Sequence, residues 1–278
     1  MTHRLSAPPQ KRGRKPDSAI AVTGQVQSLT RGLSILECLA VAEGGLTLTD
    51  IGQRVQLPPS TVHRLLATLE KMGYVYQAGE LGRWYVGLQA FAVGSTFLSS
   101  RDFVAQSNPY MRRLMDQSGE TVNLAILDGT EAVFVDQVQC REMMRTIVKL
   151  GSRAPLHASG VGKAIFASLP DDQIDAILKV RGLPRITGNT ITSPETMWAS
   201  VRVIRQRGWS FDDEEHAIGT RCVGATIYDE HGQTLGAISL AGPSSRLPDE
   251  RIKQMGPLVA HTAEELTHRL GGKWPHGR

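Results

Sequence analysis

Two adjacent prolines, Pro58 and Pro59, divide the stretch from Thr47 to Tyr76 into two short amphipathic segments. A helix cannot run through them, because proline lacks the amide donor and its ring clashes with the preceding turn; proline does suit the first position of a new helix. The stretch is therefore expected to fold as helix, tight turn, helix, the second beginning near Pro59. In that second segment Val62, Leu65, Leu66, Leu69 and Met72 recur at helical spacing and share one face. Ser60, Thr61, Arg64, Ala67, Thr68 and Lys71 take the other. Leu48, Ile51 and Val55 repeat the pattern in the first segment, with Asp50, Gln53 and Arg54 pointing elsewhere. Helices this short are marginal alone and must bury their stripes against a third. Leu29, Leu33, Leu36 and Ala40 are its expected source.

The stripes alone would equally suit an ordinary three-helix core. The residues after Gly73 favour nucleic acid: Tyr74–Gln77, a turn with Gly79 and Gly82, then Arg83–Val86 reads as strand, turn, strand. A hairpin directly after such a helix is the wing of a winged helix-turn-helix, whose second helix enters the DNA groove. Ser60, Thr61 and Arg64 occupy the first turns of that helix. Arg64 is the candidate for a bidentate grip on guanine, while Ser60, Thr61 and Lys71 are candidates for phosphate contacts, which orient without specifying. His63 lies beside that face, placed either for a phosphate contact or for helix packing, and Arg83 in the wing is within reach of a phosphate. For each of these residues the alternative is a plain solvated surface role.

Charge placement supports this reading. The net charge of +4 sits in residues 1 to 24, which hold five basic groups and one acid. This segment lacks apolar periodicity and is expected to be a disordered basic arm. Its Lys11-Arg12-Gly13-Arg14-Lys15-Pro16 has the form of an AT-hook core, with Arg12 and Arg14 set to enter a narrow minor groove. The alternative is a solubilising tail.

At 278 residues, 41% hydrophobic and 21% charged, the chain has room for two globular domains. No apolar run approaches the roughly 18 residues of a membrane span, and no apolar segment follows the basic N-terminus as in a secretory signal. Three widely separated cysteines, Cys38, Cys140 and Cys222, fit a reducing cytoplasm and no CxxC metal site.

Residues 25–88 are expected to form the winged domain. Residues 89–102 read as a linker helix, whose stretch Leu88–Leu98 is apolar on nearly all sides and so suited to a subunit interface. Residues 103–272 read as a second domain, followed by a tail at 273–278. Within that domain a helix over 103–118 leads to Thr121–Leu127 and Glu131–Gln137, joined by the hairpin signal Asp128-Gly129. Met144–Leu150 continues as a strand. Helices are expected at Val161–Leu169, Asp171–Arg181 and Pro194–Arg207, strands at Val223–Tyr228 and Leu235–Leu240, and a closing helix over Pro248–Leu270. Hairpins interleaved with helices give an α+β fold, its antiparallel sheet covered on at least one face.

The motifs KRGRKP (11–16), GQVQSLTRGL (24–33), STVHRLL (60–66), SGETVN (118–123), LHASGVGKA (156–164), FDDEEHAIGTRC (211–222) and GPSSRLPDER (242–251) together resemble the IclR family of bacterial transcription regulators. They keep the family's order across nearly the whole chain. The resemblance implies a winged helix-turn-helix, a linker helix and a C-terminal GAF-like α/β effector domain. It also implies dimers or tetramers on palindromic double-stranded operators, with repression or activation controlled by a small organic-acid metabolite and no cofactor.

The residues themselves place a small-anion site at Ser159-Gly160-Val161-Gly162-Lys163, where backbone N–H groups open a helix. A small-residue helix start needed only for packing is the alternative. A P-loop is excluded by His157 and Ala164, where Gly and Ser or Thr are required. By resemblance, the family's ligand contacts fall on Gly160, Val161, Asp212, Cys222 and Ser239, with Met143, Thr146 and Thr220 as the wall. Asp212 would accept a hydrogen bond from a ligand hydroxyl, hydrate or amide. Ala241 stands where the most similar family members carry Ser, removing a hydrogen bond worth roughly 0.5–1.5 kcal/mol; Thr146 and Thr220 replace larger apolar groups. The site is expected to be roomier and more polar. Catalysis is the remaining alternative, with Ser159, Cys222 or Ser239 as nucleophile, His157 or His216 as base and Asp212 as orienter. No nucleophile elbow surrounds them, and Asp213-Glu214-Glu215-His216 reads as a solvated loop rather than a metal site.

Overall fold

A computed structural model describes residues 26–79, 82–99 and 102–275. The basic arm, with Arg12 and Arg14, lies outside the described residues, as do 276–278. The chain divides at Gly94 into two compact units.

The first unit opens with α1 (Gln27–Ala40), α2 (Leu48–Val55) and α3 (Pro59–Lys71). Helix α2 starts at a capping box: the Thr47 hydroxyl accepts from the Asp50 N–H, and the Asp50 carboxylate accepts from the Thr47 N–H. Gln56 ends α2 in the left-handed region (φ 54°), and the Leu57 N–H returns to the Gly52 carbonyl at 3.0 Å. That closes the turn, and Pro59 starts α3 at N1 as expected. Strands β1 (Val75–Ala78) and β2 (Arg83–Val86) form the antiparallel wing. A bridge from Leu46 to Trp84 ties it to the loop before α2.

The core of this unit gathers Ile35, Leu39, Leu46, Ile51, Val62, Leu66, Val75 and Trp84. Here the expected stripe of α1 needs correction. Leu29 and Leu33 are 62% and 50% exposed, while Ile35 and Leu39 are buried and Leu36 packs at the edge. The two interleaved sets differ by a rotation of the helix that apolar spacing alone does not decide. Met72, expected on the buried stripe of α3, is 58% exposed, because α3 ends at Lys71 and the chain turns away. Helix α4 (Leu88–Ser99) follows, with Leu88 and Phe91 exposed.

The second unit begins with α5 (Asp102–Ser118) and continues through β3 (Thr121–Asp128), β4 (Glu131–Val138), β5 (Arg153–Pro155), α6 (Gly160–Ser168), α7 (Asp171–Arg181) and α8 (Pro194–Arg207). Then come β6 (Ser210–Asp213), β7 (Thr220–Tyr228), β8 (Thr234–Pro243) and α9 (Asp249–Arg269). The six strands form one antiparallel sheet in the order β5-β4-β3-β8-β7-β6. Ser193 caps α8 by accepting from the Thr196 N–H, with Pro194 at N1 and Gly208 as the left-handed stop.

Both faces of the sheet are covered. Val223, Ala225, Ile227, Ile238 and Leu240 pack with Met111 and Leu114 of α5 and Val259, Ala263 and Leu266 of α9. Ala125, Ala132, Phe134 and Ala237 pack on the other side with Ile165 and Phe166 of α6 and Met197, Val201 and Ile204 of α8.

Two expectations fail in this unit. Met144–Leu150 forms no strand; Met144, Ile147 and Leu150 are all more than half exposed. Arg153–Pro155 takes the edge of β4 along Glu131–Val133, and the Gly151 N–H and Ser152 carbonyl bond to Phe134. Strand β6 is absent from the sequence expectation, since its two aspartates disfavour strands; pairing with Arg221–Gly224 of β7 holds it extended.

Candidate nucleic-acid interface and ligand site

Helix α3 separates its chemistry by face. Val62 and Leu66 are fully buried, whereas Ser60, His63, Arg64 and Lys71 are exposed and Thr61 is half-buried. The Thr68 hydroxyl donates to the Arg64 carbonyl at 2.9 Å and leaves the guanidinium to project from the surface. Arg83 does not stand free on the wing as expected. Its Nη1 donates to the Gly45 carbonyl at 2.9 Å, so the guanidinium braces the hairpin against the loop before α2.

The candidate ligand site is built by alternation along the strands, since every second residue faces α6. One cross-strand row on that face is Ala125–Ala237–Thr226, covered by α6, with the Thr226 hydroxyl donating to the Ala164 carbonyl at 2.8 Å. The next row is Gln137–Asn123–Ser239–Gly224–Ser210, and the one beyond it Thr121–Ala241–Cys222–Asp212. The first row is closed by packing; the other two are lined mainly by polar groups.

The N-terminus of α6 reaches these rows because two glycines allow it. A Cβ on Gly160 would sit 2.7 Å from the Cys222 Cβ, and one on Gly224 would sit 2.6 Å from the Gly160 carbonyl. The Ser210 hydroxyl donates to that same carbonyl at 2.6 Å. The Ser159 side chain caps the helix by accepting from the Gly162 N–H. The positive end of the helix thus lies beside Cys222 and its cross-strand partner Asp212.

The charges around the site are buried and matched to one another. Lys163 Nζ contacts Glu215 Oε1 at 2.5 Å and donates to the Phe211 carbonyl at 2.7 Å, so this cation is committed to the protein. Burial pushes the Glu215 carboxyl up despite Lys163. Asp212, 2% exposed, accepts at Oδ1 from the N–H groups of Glu215 (2.8 Å) and His216 (3.3 Å). Burial nevertheless raises its pKa to about 7, with Glu215 adding to the effect. Burial and Asp212 push the Cys222 thiol well up, against a hydrogen bond from the Gly160 backbone. His157 is held down by burial, and since its Nε2 lies 3.0 Å from the Pro184 carbonyl, that nitrogen carries the proton.

Of the residues expected at the site, Gly160, Val161, Asp212, Cys222, Ser239 and Ala241 gather around this end of the sheet, and Thr220 lies further along β7 on the same face. Met143 does not: at 95% exposed it forms no wall, because the segment around it is not a strand. Thr146 on that segment is half-buried. Asn123, Gln137 and Thr121 are additions that the sequence expectation lacks. The available signal is an amide in the middle of TVNLAIL, since Asn is disfavoured in strands unless it has a task.

No nucleophile meets a base among these groups. The Ser159 hydroxyl donates to the Pro155 carbonyl at 2.8 Å, His157 Nε2 is taken by Pro184, and the Cys222 thiol is held protonated. Among the described residues no group of three or more His, Cys, Asp or Glu side chains is placed to hold a metal, and no helix is long and apolar enough to cross a membrane.

Comparison with known proteins gives both units a family. Residues 28–79 match the IclR helix-turn-helix domain, and residues 95–268 match the domain described as bacterial transcriptional regulator IclR C-terminal. The chain belongs to the IclR family. This IclR-family chain is 49% identical to the acetate operon repressor of Salmonella typhimurium over 95% of its own length and 97% of that protein. It is 40% identical to the HTH-type transcriptional repressor AllR of Escherichia coli K12, with the same coverage of each. In structure it resembles the IclR of Thermotoga maritima, with a TM-score of 0.75 and 28% identity, covering 89% of this chain and all of that one. Like these relatives it is a DNA-binding transcription regulator and not an enzyme.

Proposed function

We propose that this IclR-family protein is a cytoplasmic repressor that binds a palindromic operator through α3 and leaves or tightens on it when a small organic acid occupies the α6 face of the sheet. It acts as a homodimer or homotetramer, with α4 at the subunit interface and the basic arm entering the minor groove. The observation that carries the reading is the split of α3, with Val62 and Leu66 at zero exposure while Ser60, His63, Arg64 and Lys71 face outward. In a helix-turn-helix this is the side that meets base edges and phosphates. The acid is held by the N–H groups at the start of α6, by Ser239 and by Asp212. It acts by binding one arrangement of the DNA-binding units better than the other.

The test is fluorescence anisotropy of labelled promoter fragments at several salt concentrations, with and without organic acids. Salt-dependent binding to a palindrome that one acid shifts supports the reading. Indifference to every fragment at low ionic strength, or to every acid, counts against it.

A further inference from the structure

The floor of the ligand site contains a chain of amides whose direction is fixed from outside. The guanidinium of Arg145 has only donors, so the oxygen of Gln139 faces it: Arg145 Nε donates to Gln139 Oε1 at 3.0 Å. The nitrogen of Gln139 then points inward, and Nε2 donates to Gln137 Oε1 at 3.3 Å. The same logic repeats once more, with Gln137 Nε2 donating to Asn123 Oδ1 at 2.7 Å. Each amide spends its oxygen on the neighbour outside it. The last, Asn123, is left presenting Nδ2, and it is 2% exposed.

Asn123 lies in the central strand pair of the sheet, directly across from Ser239, on the face that meets the start of α6. A side-chain amide there could offer a ligand either an oxygen or an N–H. An acceptor would repel a carboxylate; a donor binds it. The amides alone have no preference, so the choice belongs to Arg145, which sits on the exposed segment after β4. That segment is held a second time, by Arg246 Nη1 donating to the Met144 carbonyl at 2.8 Å while the same guanidinium grips Glu120.

We propose that Asn123 is a ligand-reading residue of the site, its N–H held toward the acid's carboxylate or carbonyl oxygen by the one-way chain from Arg145 through Gln139 and Gln137. This rests on the organic-acid reading and adds to it a contact and a positioning residue. Arg145 acts through the chain and touches no ligand. Its identity matters only in being a donor.

Calorimetric titration of the full chain with glyoxylate, pyruvate, lactate and malate tests this. Asn123→Ala should weaken the acid that the wild type binds by about 10- to 100-fold, the range for a lost hydrogen bond to a charged group. Asn123→Asp, which keeps the shape but loses the donor, should abolish binding. Arg145→Glu reverses the chain and should weaken binding about tenfold, a loss that persists in high salt, where plain charge repulsion is screened. Arg145→Lys keeps a pure donor and should bind within about twofold of wild type. In the wild type the Asn123 side-chain amide resonances should shift with acid, a readout that needs no variant to fold. If the wild type binds an acid while those resonances stay put, or while Asn123→Ala and Arg145→Glu bind as tightly, the inference is overturned and the ligand site stands. If the wild type binds none of the acids, the ligand reading falls and takes this inference with it.

Discussion

Lys163 and Glu215 meet at 2.5 Å with both side chains less than a tenth exposed, directly behind the start of α6. Removing one partner strands the other charge out of water. Lys163→Met should cost about 3–5 kcal/mol in urea unfolding, whereas the double variant Lys163→Met, Glu215→Leu should recover most of it. Equal losses from the single and double variants would show that the pair contributes through shape rather than charge.

Asp212 makes the pH behaviour predictable. Its folded pKa of about 7 lies above its ordinary value of 3.8, so between those limits the folded chain keeps a proton that the unfolded chain has lost. Its stability contribution is full below about pH 4 and is lost as pH rises toward 7. Asp212→Asn removes this dependence and should be more stable than wild type above pH 7, by on the order of 2–4 kcal/mol, with no such gain at pH 4. Thermal melts across this range check it.

The same proton bears on the ligand. An anion beside an ionised Asp212 would be repelled, whereas a protonated Asp212 would donate to it, in place of the acceptor role expected from the family likeness. Acid affinity should therefore fall about tenfold per pH unit above about 7 and be flat below, with proton uptake visible in calorimetry in buffers of different ionisation enthalpy. A flat profile up to pH 9 would falsify the donor role. Asp212→Asn should be flat throughout.

On the DNA side, Arg64→Ala should weaken operator binding by about 1–3 kcal/mol and relax preference at one base pair. Lys71→Ala should instead weaken all sequences alike and lower the salt slope by about 1. Binding isotherms on operator and scrambled fragments separate the two.

Gly224→Ala places a methyl 2.6 Å from the Gly160 carbonyl, a backbone atom that can yield only if α6 moves. The variant should lose acid binding while operator binding without acid is unchanged, as read by calorimetry and anisotropy on the same preparation.

The fold is legible in the sequence wherever local chemistry decides the outcome. Pro59 at the start of α3, Ser193 and Gly208 at the ends of α8 and Asp128-Gly129 between β3 and β4 each specify a backbone geometry without help from distant residues. The illegible parts depend on partners far along the chain. Leu29 and Leu33 of α1 look as suitable for a core as Ile35 and Leu39 until α2 and α3 choose a side. Met144–Leu150 has strand composition but runs exposed while Gly151–Pro155 takes the adjoining edge of β4, and β6 has the wrong composition but is held by Arg221–Gly224 of β7. At the site, Asp212, Cys222 and Ser239 are reached through family likeness. Asn123 left a trace as an amide inside an apolar strand, but its place opposite Ser239, and that of Gln137 opposite Asn123, come from cross-strand register.

The division of β7 and β8 into residues that hold the scaffold and residues that face α6 has an evolutionary consequence. Val223, Ala225, Ile238 and Leu240 carry the packing, and Cys222, Ser239 and Ala241 alternate with them, one position away. On the proposed ligand reading, drift at the second set would retune which metabolite is sensed while the first set keeps the molecule folded, so a lineage could change its signal without passing through an unstable ancestor.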